Sequence, residues 1–461
     1  MLRSLLKSLV VLAALAAASR AAPADPLRGV VRNRQGQPVA GARVAASPFA
    51  ENLETLFALT GAAGEYSFDL PAGDYVVYVD AEGCEMSIES ARPGQARLDF
   101  TLLPLALPAL SETSIVSART TEKHLLDEQY AQIERYYDRL IAESDARRAQ
   151  NWKRDFSSLA AYLASVEPRR KRFVEILGGF PAGKTALKPR RQSAGANEQY
   201  RTERVWIEAA PGVEVYGVLL LPRRPGRRPA LIAQHGMGGS PAMTAGLTER
   251  DDYLRRFGAR AAERGYVVFA PYLVNDPAQR SRLHRKALSL GRTLQGLEQW
   301  KIVRVIDFLE ALPEVDPARI GGYGISWGGR TMLYAAAIDP RLAAVVVSGY
   351  FNQNTKKLFR YSPYSTAYID TPEEYAFFPD FIDEFSDADL ASLVAPRPLF
   401  IEAGTLDTAA YFKDSFMEFA GAREFYRRLG SGERIEFGLF RGLHLVHGIQ
   451  AFGFLDRWLR P

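Results

Sequence analysis

Gly324-Ile325-Ser326-Trp327-Gly328 is the stretch of this chain best suited to do chemistry. A serine at a sharp turn between two glycines can hold its hydroxyl clear of the backbone. The glycines leave room for the close packing that such a turn forces. A hydroxyl is a poor nucleophile unless a base takes its proton. The chain has five histidines, His124, His235, His284, His444 and His447, and only His444 and His447 follow the serine. Asp407 lies between the serine and those two, with Glu402 and Asp414 near it in sequence. In His235-Gly236-Met237-Gly238-Gly239 the glycines let the backbone bend its N–H groups towards a developing oxyanion. These residues suit acyl transfer. His444 and His447 could instead ligate a metal, but no third ligand is evident near them, so neither metal nor cofactor is expected.

The elements that must position these residues alternate strand and helix from Arg201 onwards. Val205–Glu208 and Val213–Leu221 read as an antiparallel opening hairpin, and Ala230–Gln234 as a buried strand. The helix Asp252–Arg264 and the strand Val267–Tyr272 follow, then a long helix over Leu294–Leu312. Strands are expected at Arg319–Ile325, Ala343–Ser348, Leu399–Ala403 and Ile435–Phe440, with helices at Gly328–Ile338, Phe412–Leu429 and Leu445–Leu459. This order matches the α/β-hydrolase fold, a doubly wound, mostly parallel sheet covered on both faces. That fold carries its triad in the order serine, acid, histidine.

The order selects His444, on the loop leaving the last strand, as the base, with His447 at the start of the final helix as the fallback. Asp407, just past the penultimate strand, would accept the second imidazole N–H and fix the tautomer. Glu402, inside that strand, is expected to pack or pair structurally, and Asp414 to be solvated in the next helix. The N–H groups of Trp327 and Met237 are the expected oxyanion donors. His235, at a strand end, is read as shaping its loop rather than as a base.

Residues 22–105 hold short alternating strands separated by turns and read as a small β-sandwich. Gly36, Pro38, Gly41, Ala42, Val44, Gly64, Tyr66, Phe68, Pro71, Gly73 and Tyr75 give this segment a pattern that resembles the carboxypeptidase regulatory-like (transthyretin-like) domain. Residues 106–195 read as a helical connector, with Ile133, Tyr136, Tyr137, Leu140 and Ile141 on one helix. Phe156, Leu159, Ala160 and Leu163 mark a second helix, and Pro168 separates it from a third over Arg169–Leu177. These helices are expected to pack as a brace between the sandwich and the catalytic segment, which covers 196–461.

Val315-Asp316-Pro317-Ala318-Arg319-Ile320 before the elbow, Ala395-Pro396-Arg397-Pro398 before the acid strand and Ile176-Leu177-Gly178 in the lead-in carry a second likeness. The stretch from about 125 to 459 resembles the branch of the α/β-hydrolases that holds the dienelactone hydrolases and acetyl xylan esterases. The resemblance implies hydrolysis of small esters, often acyl groups on sugars. It departs at the nucleophile, which is cysteine in the dienelactone hydrolases proper and serine here, and this favours simple acyl or alkyl esters. A serine peptidase like prolyl oligopeptidase shares fold and triad, but usually gates its site with a propeller larger than this sandwich. A non-catalytic binding protein would have no need of serine, acid and histidine in the right order.

Residues 351–390, between two strands, form a long connection expected to cap the site. Phe359, Tyr361, Tyr364, Tyr368, Phe377, Phe378 and Phe381 crowd it, beside Asp370, Glu373, Glu374, Asp380 and Asp383. The aromatics are expected to anchor the cap, in preference to stacking on substrate.

The start of the chain has a different purpose. Arg3 and Lys7 precede the apolar run Leu9–Ala18, and Ser19-Arg20-Ala21 offers small residues for cleavage after Ala21, so residues 1–21 read as a signal peptide. A secreted or periplasmic enzyme without a membrane span is expected. Cleavage takes three of 58 basic residues and no acidic one, leaving 55 against 53, so the excess of charge is too small to imply a nucleic-acid partner. Cys84 is the single cysteine, which excludes an intrachain disulfide. Small-molecule or carbohydrate esters are the expected partners, and no oligomeric state is implied.

Overall fold

The computed structural model describes residues 26–48, 55–84, 86–92, 94–104, 112–181, 183, 186–248, 253–360 and 366–460. The proposed signal peptide and the cap residues Tyr361 and Tyr364 lie outside them. Among the described residues no helix is long and apolar enough to cross a membrane. The chain divides into two compact units, residues 1–127 and 128–461.

In the first unit the strands are β1 (Leu27–Asn33), β2 (Arg43–Pro48), β3 (Leu56–Leu59), β4 (Glu65–Phe68), β5 (Tyr75–Asp80), β6 (Ser87–Ala91) and β7 (Phe100–Leu102). They form two sheets, ordered β4-β1-β7 and β3-β2-β5-β6. Alternation along β4 and β5 turns Tyr66, Phe68, Tyr75, Val77 and Val79 inwards, where they meet Val31, Val44 and Leu102.

A long helix, α1 (Glu112–Gln150), follows, and then α2 (Leu159–Ile176). Ile133, Tyr136 and Tyr137 stay about half exposed on α1, contrary to the packing stripe expected there. Packing starts at the C-terminal end of the helix, where Arg147 reaches Asp383 at 2.8 Å and Arg148 the Ile382 carbonyl at 2.9 Å. Pro168 sits inside α2 and does not end it. An internal proline costs a helix ~3 kcal/mol or more. Anchors on both sides of the proline offset that cost: the Tyr162 hydroxyl donates to the Ser392 carbonyl at 2.7 Å and Arg170 to the Leu393 carbonyl at 3.0 Å.

The large sheet opens with β8 (Arg190–Ala196), inside the stretch read as a helical connector. Its residues are mostly exposed, so no apolar alternation marked it; pairing with the next strand holds it. Then come β9 (Tyr200–Ala210), β10 (Val213–Pro222), β11 (Arg228–Gln234), α3 (Phe257–Glu263), β12 (Val267–Pro271), α4 (Pro277–Leu288) and α5 (Leu294–Glu310). They are followed by β13 (Val315–Ile325), α6 (Trp327–Ile338), β14 (Leu342–Ser348), α7 (Asn354–Phe359), α8 (Asp387–Val394), β15 (Leu399–Gly404), α9 (Phe412–Arg428), β16 (Ile435–Phe440) and α10 (Ile449–Leu459). The expected Asp252–Arg264 helix is thus shorter, and Asp252 is outside the described residues. Sheet order is β16-β15-β14-β13-β11-β12-β10-β9-β8. Strands β11 to β16 run parallel where they pair, and β8, β9 and β10 are antiparallel. The central strands are buried on both faces, as their unbroken apolar runs require. Helices α2, α5, α6 and α8 pack on one face, and α3 and α10 on the other.

Asp387 of α8 is buried and Glu418 of α9, its acidic neighbour, is partly buried. Burial pushes the Glu418 carboxyl up to about 7, with repulsion from Asp387 adding to it, and burial pushes Asp387 up to about 6. A carboxylate whose folded pKa is raised adds stability that is full below its unfolded value. That stability is lost as pH rises through the folded value. Glu418→Gln keeps an acceptor for the Ala388 N–H, which Glu418 holds at 2.7 Å. The variant should therefore be more stable than wild type by about 1–2 kcal/mol at pH 8. The gain should vanish near pH 4.5, which thermal melts at the two pH values would check.

Candidate active site

The parallel strands share a level at their carboxyl ends, because Gln234 pairs with Gly324, Ile325 with Ser348, Ser348 with Glu402 and Gly404 with Phe440. Every loop that leaves this level can reach its neighbour. Ser326 caps α6 with φ 58° and ψ −128°, a backbone conformation L-residues rarely adopt. The flanking glycines explain how the turn closes. A Cβ on Gly324 would meet the Gly328 carbonyl oxygen at 2.0 Å, and one on Gly328 would meet the Gln234 oxygen at 2.2 Å. Main-chain bonds hold the elbow, with the Ser326 N–H on the Ser348 carbonyl at 2.9 Å.

His444 lies past β16, as the sequence led us to expect, and its Nδ1 is 2.7 Å from Asp407 Oδ2. Asp407 is buried, and its other oxygen accepts the Ala409 and Ala410 N–H groups at 2.8 and 3.0 Å. Gly349, at the end of β14, was not singled out from the sequence. It has φ 57°, and a Cβ there would lie 2.9 Å from His444 Cε1 and 3.2 Å from Asp407 Oδ2. The pair needs a residue without a side chain at that point. A glycine just past a strand end, level with the elbow, was the available cue.

Glu402 and His447 fall elsewhere. Glu402 is buried and accepts from the Tyr323 hydroxyl at 2.9 Å, the Ser348 hydroxyl at 2.8 Å and the Gly448 N–H at 2.8 Å. It also takes the His447 N–H at 3.3 Å. These bonds hold His447 and Gly448 in a loop, so α10 begins at Ile449 rather than at 445, and His447 precedes the helix. The His447 ring stacks on Phe440 at 4.7 Å. Asp414 is not freely solvated either, since Lys356 pairs with it at 2.9 Å.

His235 is fully buried, and burial pulls it down to about 4. Its Nε2 accepts the Leu273 N–H at 3.1 Å, so Nδ1 carries the proton and donates to the Gly236 carbonyl at 2.8 Å. It is a neutral fastener of the β11 loop. That loop runs close to the elbow, since a Cβ on Gly236 would lie 2.8 Å from the Ser326 Cβ. The Tyr253 hydroxyl donates to the Met237 carbonyl at 2.9 Å.

Ser326, Trp327, Met237, Tyr253 and His444 line one cavity of about 470 Å3. The cap closes its other side with Lys357, Thr366, Tyr368 and Glu373. Lys357 is 7% exposed and donates to the Thr366 carbonyl at 2.6 Å; burial lowers its ammonium to about 8, against the pull of Glu373 and Asp407. The cap therefore contributes polar groups to the cavity as well as aromatic anchors. Phe378 and Phe381 are buried and pack against one another with tilted rings 4.6 Å apart, away from the cavity lining, as expected of anchors.

Comparison with known proteins agrees with this architecture. Residues 26–103 match the carboxypeptidase regulatory-like domain, and residues 217–363 match the dienelactone hydrolase family. Over 308 residues the chain is 25% identical to YtaP of Bacillus subtilis, named as a candidate hydrolase, covering 63% of this chain and 99% of that protein. It is 29% identical over 151 residues to the 4-O-methyl-glucuronoyl methylesterase of Schizophyllum commune, covering 29% of this chain and 38% of that one. A Bacteroides fragilis structure described as a candidate acetyl xylan esterase superposes with a TM-score of 0.53 at 18% identity, covering 66% of this chain and 82% of that one. This last likeness is one of fold.

Proposed function

From a chain that carries a dienelactone hydrolase family domain, and so is a hydrolase of ester bonds, we propose a serine esterase with Ser326 as nucleophile. The observation that carries the reading is the meeting of Ser326 and His444 on one cavity, with His444 Nδ1 2.7 Å from the buried Asp407. His444 takes the Ser326 proton through Nε2 as the hydroxyl attacks the ester carbonyl. Asp407 holds the tautomer and stabilises the imidazolium. The N–H groups of Met237 and Trp327 receive the oxyanion. Trp327 is the first residue of α6, where backbone N–H groups have no partner inside the helix. The alcohol leaves with the proton from His444, and water, activated by the same imidazole, releases the acid. These steps need no cofactor.

Acyl esters of carbohydrates are the proposed substrates, and the exported side of the cell is the proposed location. Tyr368 offers aromatic surface to a sugar ring, and Lys357 and Thr366 offer polar partners for hydroxyls. The test is a panel of acetylated xylo-oligosaccharides, methyl glucuronates and feruloyl esters beside the matching anilides. Ester turnover with anilide cleavage at least a thousandfold slower is expected. Comparable rates on the anilides would overturn the esterase reading in favour of a peptidase.

A further inference from the structure

We propose that Glu373, from the cap, is a positioning residue that acts on the oxyanion hole through Trp327; this rests on the esterase reading above. Trp327 follows the nucleophile directly and is 4% exposed. Its indole has one polar group, and a buried N–H of this kind must find an acceptor. Glu373 supplies it, with Oε1 3.1 Å from Trp327 Nε1. The same oxygen accepts from the Tyr375 hydroxyl at 2.7 Å, and Tyr375 lies 4.8 Å from the indole. On other sides the ring meets Tyr368 at 5.4 Å and the guanidinium of Arg330 at 4.8 Å.

Glu373 can steer Trp327 only if the turn that carries it is itself fixed, and three helices fix it. The Pro372 carbonyl accepts from Ser281 of α4 at 2.9 Å, and the Phe377 carbonyl lies 2.8 Å from His284 Nε2. His284 Nδ1 accepts the Leu294 N–H, so Nε2 carries the proton and donates. Gln295 of α5 holds the Tyr375 carbonyl, and Arg330 of α6 holds the Ala376 carbonyl at 3.2 Å. The cap turn is thus tied to the body both before and after Glu373 in sequence. Freed from Glu373, the indole would have an unpaired N–H at the wall of the cavity and would turn to satisfy it. That rotation would disturb the strained backbone at Ser326–Trp327, where small displacements cost rate heavily.

A double-mutant cycle on the full chain tests this. Glu373→Ala should lower kcat at least tenfold on a 4-nitrophenyl ester, with KM within about twofold, and should slow fluorophosphonate labelling of Ser326 by the same factor. Glu373→Gln, which keeps an acceptor, should restore most of the rate. Trp327→Phe should reproduce the loss, and the double variant Glu373→Ala/Trp327→Phe should be no slower than either single change. Independent, additive losses would overturn the proposal, as would a KM effect at constant kcat, which would make Glu373 a contact to substrate. If wild type turns over the ester and Glu373→Ala matches it, this inference fails alone. If wild type turns over no ester, the esterase reading fails first.

Discussion

Ser326→Ala should lower ester turnover by a factor on the order of 10^6 in kcat, the scale seen when a serine nucleophile that works as a unit with its base is removed. The mass shift left by a fluorophosphonate should disappear with it. The variant should still fold, because the elbow is held by main-chain bonds. The Ser326 N–H reaches the Ser348 carbonyl, and the Arg330 N–H reaches the Ser326 carbonyl at 3.0 Å. Neither bond uses the hydroxyl. An unchanged thermal midpoint with activity lost is the expected pair of results. A variant keeping more than a hundredth of the wild-type rate would remove Ser326 from the mechanism.

The second expected result separates the two acids near the end of β15. Asp407→Asn should lower kcat by about 10^4-fold at nearly constant stability. The geometry gives the reason. The Ala409 and Ala410 N–H groups both donate to Asp407 Oδ1, so the amide oxygen of the variant stays on them. The new NH2 then faces His444 Nδ1 and donates to it, which leaves the proton on Nε2, where a base is needed. Glu402→Gln should do the reverse. Its carboxylate takes four donors, and an amide facing them leaves at least one buried donor unpaired, so a stability loss of about 2–3 kcal/mol is expected. Thermal melts and kcat for the two variants give opposite patterns if Asp407 is the acid of the triad. Equal activity losses would overturn the assignment.

Much of this was legible before any fold was known. Ser326 between glycines, Asp407 just past a strand and His444 after the last strand are local features, and strand and helix periodicity placed them in the order one fold requires. The sandwich was equally readable, since alternation in β4 and β5 follows the pleat. Errors fell where local signals conflict with packing. Pro168 marks a helix end in sequence, but side-chain anchors from a distant segment keep α2 continuous. β8 has no apolar face to betray it, and only its neighbour strand defines it.

Which residue types could react, and in which order they come along the chain, can be read from the residues alone. Chemistry of that kind is carried by local patterns of glycine, strand and helix. The fold in three dimensions sets how those residues are held. It turned Glu402 to its four donors and Asp407 to His444, required Gly349 to be without a side chain, and brought Glu373 from the cap to the indole beside Ser326. Each of these depends on distances between segments far apart in sequence, which no spacing along the chain encodes.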